Sequence, residues 1–411
     1  MKTAQGRGGA LFASPHNKLL TYLSTTTLNV MLFFLCFGWF LALFWFWHAA
    51  IVLHFLHQMQ ISKLTAKLPP LNHYPKLSII VPARNEAAKI YEGLSSLLQL
   101  DYPHFEVIAV NDRSVDETGA IMEALQSESS RLKVLHIKEL PERWLGKNHA
   151  MHLAAQQATG DYLLFTDGDV VFAPDTLKQA MQVVQAQQWD HLALLPRLLP
   201  GGYAENCVLQ FMGLVFMMSL YPFLIAKSSS QRFAGVGAFN LIGRACYQQI
   251  GGFAALPLEI IDDMGLGRAV KQHGWRSQLL FSESLLQVRW QQKVTGLVRG
   301  IEKNSFAALR YSPLNLIVLT LAFILFIFAP YLAIFIFPST IALGYAVALA
   351  VLHGILVYTG TRTKVGWQIS FGLPFGAGVT LWAIWRSAFL TLKQGGVYWR
   401  DTFYPLALLK K

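Results

Sequence analysis

Charge is scarce in this sequence. Only 14% of its 411 residues are Asp, Glu, Lys or Arg, against 54% hydrophobic. That balance is too apolar for an ordinary soluble protein of this size. Cysteine is scarcer still. Cys36, Cys207 and Cys246 lie far apart with no Cys-x-x-Cys spacing, so neither a disulfide framework nor a zinc site is suggested. Acids are outnumbered 23 to 34, for a formal net charge of +11, yet no Lys/Arg block marks a nucleic-acid patch. The basic excess reads as juxtamembrane charge facing anionic lipid, and no nucleic-acid partner is expected. Internal repeats are absent, and low complexity is confined to Ser228-Ser229-Ser230.

What the chain has in quantity is long apolar runs. Residues 1–27 form a polar tail with Lys2, Arg7 and Lys18 and are expected to fray. Residues 28–58 follow, apolar almost throughout to Leu53 and rich in Phe and Trp. A bilayer crossing needs ~20 such residues, so this reads as a transmembrane anchor. No small-residue cleavage site follows, which favours a retained signal anchor over a removable signal peptide. His48, His54 and His57 lie at its far end. His54 and His57 are spaced to share a metal, but interfacial polar tips are the preferred reading. Residues 59–76 are a basic linker containing Pro69, Pro70 and Pro75.

Beyond the middle of the chain, residues 314–337 and 341–359 read as two further spans. The basic loop Thr361-Arg362-Thr363-Lys364 follows, expected on the cytoplasmic side. Residues 367–390 are apolar but punctuated by Gly372, Pro374, Gly376 and Gly378, and they carry Arg386. A charge in mid-bilayer is expensive, so a re-entrant or interfacial segment is expected there, leaving 391–411 as a cytoplasmic tail. Residues 207–226 read as an interfacial helix on the bilayer, or a span weakened by Gln210 and Pro222.

Between these segments, residues 77–304 show an α/β pattern. Leu77–Val81, Phe105–Val110, Leu132–Ile137, Tyr162–Thr166 and His191–Leu195 read as buried strands, with helical stretches between them. Such alternation predicts a parallel sheet covered on both faces. Ligands of such sheets bind beyond the C-terminal strand ends. Three of these ends carry acids: Glu86, then Asp112 with Asp116, then Asp167 with Asp169.

The last pair is the sharpest signal. Tyr162-Leu163-Leu164-Phe165 runs straight into Thr166-Asp167-Gly168-Asp169. In extended backbone, residues i and i+2 point to one face, so both carboxylates would aim at one spot. Two carboxylates ~5 Å apart repel by roughly 3 kcal/mol at an effective dielectric near 20. A divalent cation removes that repulsion, and hard oxygens suit Mg2+ or Mn2+. Gly168 would leave room for a bulky ligand. An ordinary Asp-Gly-Asp turn is the competing reading, and the other acidic strand ends weigh against it.

These motifs carry a resemblance. Pro82-Ala83-Arg84-Asn85-Glu86, Asn111-Asp112-Arg113-Ser114-Val115-Asp116, Trp144-Leu145-Gly146-Lys147, Thr166-Asp167-Gly168-Asp169 and Asp262-Asp263 stand in the order seen in family-two glycosyltransferases. The likeness runs from about Leu77 to Asn304 and implies an α/β domain of the GT-A nucleotide-diphospho-sugar transferase fold, flanked by transmembrane helices. The spans, with Gly395-Gly396-Val397-Tyr398-Trp399-Arg400 and Tyr404, resemble membrane-bound bacterial members associated with hopanoid or carotenoid glycosylation.

The resemblance implies roles. Ala83, Arg84, Glu86, Asp112, Lys147 and Asp167 would bind the nucleotide sugar, with Glu86 and Asp112 accepting from base and ribose donors. Lys147, at a helix start, would face phosphate. Asp169 with Asp167 would hold the metal. Asp263 would be the catalytic base, with Asp262 beside it either orienting the acceptor or capping its helix. Trp144, Arg289 and Trp290 would meet acceptor or diphosphate. Asp116 is equally a turn residue or a ligand contact. His149 and His152 read as surface residues, and Arg299, Lys303 and Asn304 as a basic membrane-facing helix. Gln287-Val288-Arg289-Trp290 departs from the Gln-x-x-Arg-Trp motif of processive synthases, because Leu286 stands where the leading Gln belongs.

The expected activity is metal-assisted, inverting transfer of one sugar from a nucleotide-diphosphate sugar to a lipid acceptor. The site would lie on the cytoplasmic side of a multi-pass protein of the cell membrane. A processive polysaccharide synthase is the alternative enzyme. A decayed, membrane-anchored nucleotide-sugar-binding or scaffold protein is the alternative of another class.

Overall fold

A computed structural model describes residues 15–399 and 402–410, with side chains from residue 26 onward. At its centre is a seven-stranded sheet. The strands are β1 (Leu77–Ala83), β2 (Phe105–Asp112), β3 (Leu132–Ile137), β4 (Tyr162–Phe165), β6 (His191–Leu195), β8 (Asn240–Gly243) and β9 (Ser277–Phe281), in the order β3-β2-β1-β4-β8-β6-β9. A smaller sheet joins β5 (Val170–Phe172), β10 (Leu286–Val288) and β7 (Arg197–Leu198). A hairpin, β11 (Gly396–Trp399) and β12 (Thr402–Pro405), ends the chain's regular strands.

The apolar runs explain the core. Along β1 and β2, successive residues alternate between two buried clusters. Ile79, Val81, Val107 and Ala109 face Leu94, Leu97, Met122 and Leu177 on one side. Ile80, Ile108 and Val110 face Ala150, Met151, Ala154 and Val270 on the other. A strand buried on both faces needs no polar alternation, which is why these segments are continuous in sequence.

The parallel sheet has one exception. β8 lies antiparallel to both β4 and β6, while every other pairing is parallel. After β6 the chain passes through β7 and the helix Tyr203–Leu220, then returns beside Asp167, whose N–H donates to the Gly237 carbonyl at 3.0 Å. It therefore re-enters the sheet from the C-terminal edge and has to run backwards.

His191 pins this junction. It is 1% exposed, with Nδ1 2.8 Å from Ser277 Oγ on β9 and Nε2 2.6 Å from Asn240 Oδ1 on β8. Burial pushes its pKa down to about 4. The unfolded chain thus binds a proton near pH 6.5 that the folded domain refuses. Stability from neutral His191 is full above pH 6.5 and is lost as pH falls towards 4, by ~3 kcal/mol in all. Melting temperature should fall across that window, with a shallower slope in His191→Gln.

Among the described residues, five helices are long and apolar enough to cross a membrane: Thr26–Gln58, Tyr203–Leu224, Pro313–Ile336, Ser339–Arg362 and Trp367–Gln394. The first belongs to a helix that starts at Pro15, inside the expected frayed tail. A proline ring presets helical φ at a first position, and neither Gly nor Pro follows until Gly38. Residues 1–14 of that tail, Arg400 and Lys411 lie outside the described residues.

The described residues up to Trp47 form one compact unit with Ile324–Leu352. Pro330 lacks an N–H for the Phe326 carbonyl, and the helix passes through a π segment, Ile324–Phe328, just before it. Trp45 Nε1 donates to that carbonyl instead, at 3.3 Å. Tyr345 hydroxyl donates to the Phe34 carbonyl at 3.0 Å.

The second unit is His48–Phe323 with His353–Lys411. Here Leu373–Gln394 is one continuous helix rather than a segment interrupted at Gly376 and Gly378. The glycine signal has a packing cause. A Cβ on Gly376 would meet the Cys207 carbonyl at 2.4 Å, so glycine lets this helix lie against Tyr203–Leu220. Arg386 is not stranded either, since its Nε pairs with Glu302 Oε2 at 2.6 Å on the helix Lys293–Ala308.

Candidate active site

The acids gather at the C-terminal edge of the sheet. Two tight turns set the frame, with Asn85 and Arg113 both at positive φ (54° and 56°) after β1 and β2. The turns lock together. Asn85 Oδ1 accepts from Val115 N–H at 2.8 Å, and Ser114 Oγ accepts from Asn85 N–H at 3.0 Å. Asp116 accepts from Thr118 N–H and hydroxyl and from Ala87 N–H. Slight burial opposes its ionisation, but these bonds outweigh it and hold its pKa below the usual range. Asp116 is thus the turn residue of its two readings. Glu86 starts the next segment with its N–H on Thr118 Oγ1. Asp112 is 4% exposed, and both oxygens accept from Arg113, at 2.7 and 3.1 Å.

At the centre, Lys147 Nζ lies 2.8 Å from Asp167 Oδ1 and 3.0 Å from Asp262 Oδ2. Burial alone would lower the Lys147 pKa, but Asp167, Asp262 and Asp263 hold it above its ordinary value. Asp262 and Asp263 occupy the first turn of the helix Asp262–Gln272, where the macrodipole favours anions. Asp263 Oδ2 accepts from Gly237 N–H and Oδ1 from Met264 N–H, both at 2.8 Å. Asp263 is half-buried and lines the central cavity described below. Burial first, and then the charge of Asp262, push its pKa up to about 7, against the pull of Lys147.

The turn after β4 differs from the extended geometry expected of it. β4 ends at Phe165, so Asp167 and Asp169 are no longer i and i+2 of a strand. Asp167 goes to Lys147, while Asp169 pairs with Lys89 at 2.8 Å. Gly168 does not face open space, because a Cβ there would meet Ile90 Cδ1 at 2.7 Å. Lys89 was not foreseen. It stands at the N-cap of the helix Ile90–Leu98, where a cation opposes the macrodipole. That local misfit is the signal that could have found it.

Other expected residues fall elsewhere. Arg289 Nη2 pairs with Glu205 Oε2 at 2.7 Å and Nη1 donates to the Pro200 carbonyl, so its guanidinium is turned to the start of Tyr203–Leu220. Only its carbonyl meets the acid cluster, through Lys89 Nζ at 3.1 Å. The Trp144 ring stacks on His152 (centroids 5.1 Å apart) and meets His149 edge-on at 5.4 Å. His149 is correspondingly buried, 8% exposed, rather than a surface residue. Trp290, Lys303 and Asn304 do line the central cavity.

That cavity encloses about 660 Å³. Asp167, Asp169, Asp262, Asp263 and Lys147 form one wall. Much of the rest is apolar: Val52 and Phe55 from the first helix, Leu209, Met212 and Met217 from Tyr203–Leu220, Ile355 and Leu356 from Ser339–Arg362.

The residues present fit a divalent cation in part. Four carboxylates face two ammonium groups, and the charge of Asp262 adds to burial in raising Asp263. Among the described residues no group of three or more His, Cys, Asp or Glu is arranged to hold a metal alone. An ion on Asp169 and Asp167 would need further oxygens from a ligand, which suits a diphosphate.

A sheet of this order, with acids and Lys147 gathered at its C-terminal edge, has the GT-A fold of nucleotide-sugar transferases. Residues 78–192 match the family model for Glycosyl transferase family 2. The chain is 27% identical over 209 residues to 4,4'-diaponeurosporenoate glycosyltransferase of Staphylococcus aureus, a match over 50% of this chain and 54% of that protein. The chain thus matches about half the length of that relative. It is 33% identical over 121 residues to poly(ribitol-phosphate) beta-N-acetylglucosaminyltransferase TarS of Staphylococcus aureus, over 29% of this chain and 20% of that protein. Among solved structures, the mannosyltransferase PcManGT from Pyrobaculum calidifontis, in complex with GDP-Man and Mn2+, is similar in fold. Its TM-score is 0.50 at 18% identity, covering 87% of this chain and 99% of that one.

Proposed function

We propose that this protein transfers a sugar from a nucleoside diphosphate sugar to the hydroxyl of a lipid, with inversion, at a membrane surface. The observation that carries this reading is the cavity. One space holds the carboxylates of a transferase site and, continuous with them, the apolar side chains of three membrane-type helices. A lipid could lie along those side chains with its polar end at Asp263. PcManGT holds GDP-Man with Mn2+, and a diaponeurosporenoate glycosyltransferase is among the relatives; both agree with this reading.

The chain's own residues divide the work. Glu86 and Asp112 mark the nucleoside end of the donor. Lys147 supplies positive charge where the diphosphate leaves. Asp263 is placed to take the proton from the attacking hydroxyl. Asp169, with Asp167, would hold Mg2+ or Mn2+, which when bound adds charge stabilisation at the diphosphate. Nucleotide-activated donors are made in the cytoplasm, so the site faces that side in this reading.

The test is to compare lipids from cells with and without the gene by mass spectrometry. One lipid species heavier by a single sugar is expected. A ladder of added sugars would point to a polymerase, and no change in any lipid would sink the lipid acceptor.

A further inference from the structure

The C-terminal motif Gly395-Gly396-Val397-Tyr398-Trp399 with Tyr404 takes no part in the chemistry above. In the structure it is the β11–β12 hairpin, with Val397 paired to Tyr404. Gly395 ends the preceding helix at φ 69°, and a Cβ on Gly396 would meet the Tyr404 carbonyl at 2.3 Å. Both glycines are needed to turn the chain directly out of the helix into a tight hairpin.

The hairpin reaches the donor side of the site. Tyr404 is 5% exposed and its hydroxyl donates to the Trp144 carbonyl at 2.8 Å. Burial raises its pKa, so it stays a donor at neutral pH. Trp144 begins the turn into the helix Gly146–Gln157, three residues before Lys147. That helix has Leu145 at its N-cap and no side-chain cap, so the turn depends on partners from elsewhere. Leu145 N–H donates to the Pro257 carbonyl at 2.8 Å, and Asn148 Nδ2 to the Leu256 and Glu259 carbonyls. Tyr404 supplies the remaining hold, from the opposite end of the chain. The hairpin is itself anchored: Trp399 is 6% exposed with Lys303 Nζ 3.4 Å over its ring.

We propose that Tyr404 is a positioning residue for donor binding. Its hydroxyl fixes the Trp144–Gly146 turn that presents Lys147 to the diphosphate of a nucleoside diphosphate sugar. The inference rests on the transferase reading given above. It makes the C-terminal hairpin part of the donor site, although over 250 residues separate Tyr404 from the turn it holds.

The test is Tyr404→Phe in the full-length protein, with Tyr398→Phe as the matched control. Tyr398 is on the same hairpin, is 59% exposed, and loses the same hydroxyl. Dissociation constants for UDP and for GDP, each with Mn2+, are measured alongside melting temperature. Loss of one hydrogen bond should raise the constant for the bound nucleotide about fivefold in Tyr404→Phe. Tyr398→Phe should stay within about twofold of the starting protein, by the same measure. A hydroxyl that only supports the fold would lower the melting temperature and leave nucleotide binding unchanged. That result, with binding intact in the unmutated protein, overturns the positioning role alone. If the unmutated protein binds neither nucleotide, the transferase reading fails and takes this inference with it.

Discussion

Asp169→Asn is expected to cut sugar transfer by at least ~10³-fold and to weaken donor binding. The substitution keeps the shape of the side chain and removes its charge. Asp169 lines the same cavity as Lys147 and pairs with Lys89 at 2.8 Å. Among the described residues no group of three His, Cys, Asp or Glu is arranged to hold a metal, so in the proposed reading the charge of Asp169 does most of the work of holding a cation beside a diphosphate. Loss of the Lys89 pair is the competing cause, and Lys89→Met separates the two. If the metal matters, Asp169→Asn loses its response to added Mn2+, while Lys89→Met keeps it. Excess chelator should bring the unmutated protein down to the level of Asp169→Asn. Full activity of Asp169→Asn, or of the unmutated protein in chelator, removes the metal from the reading.

His191–Leu195 stands as expected, because a short apolar run between polar turns has few other ways to be buried. The edge strand Leu132–Ile137 also keeps its expected bounds, although Lys133 and His136 are exposed. β1 and β2 only extend further, to Ala83 and Asp112. Direction was not legible. Asn240–Gly243 looks like any short strand, and its reversal follows from where Tyr203–Leu220 leaves the chain. Glycines were misleading in Leu373–Gln394, where close approach to Cys207 and not a break accounts for Gly376. The acids of the site were all visible as motifs. Their partners were not, because Lys89 on Asp169 and Glu205 on Arg289 are long-range pairs with no local pattern. The same holds for Glu302, which turns Arg386 from an apparent bilayer charge into half of an ion pair.

Asp263→Asn should lower turnover by ~10²–10⁴-fold with little change in donor affinity. An alcohol is too weak an acid to attack unaided, so a carboxylate has to receive its proton as the new bond forms. Asp263 is well matched to that task, since a base with a pKa near 7 is both largely ionised and strong enough to accept the proton at neutral pH. Activity should therefore rise with pH through about 7, and this acidic limb should vanish in the variant. The stability effect has the opposite sign. A carboxyl whose folded pKa lies above its unfolded value contributes stability at low pH that is lost as pH rises through the folded value. Ionised Asp263 is thus a cost to the folded protein, and stability should fall as pH rises through about 7 in metal-free buffer, with a shallower slope in Asp263→Asn. Asp262→Asn is the contrast: it removes one partner of Lys147, so its loss should be smaller. If Asp263→Asn retains near-full transfer, the acceptor is already an anion, a phosphate or a carboxylate, or the base lies elsewhere. Charge fractionation of the product lipid decides between those two outcomes.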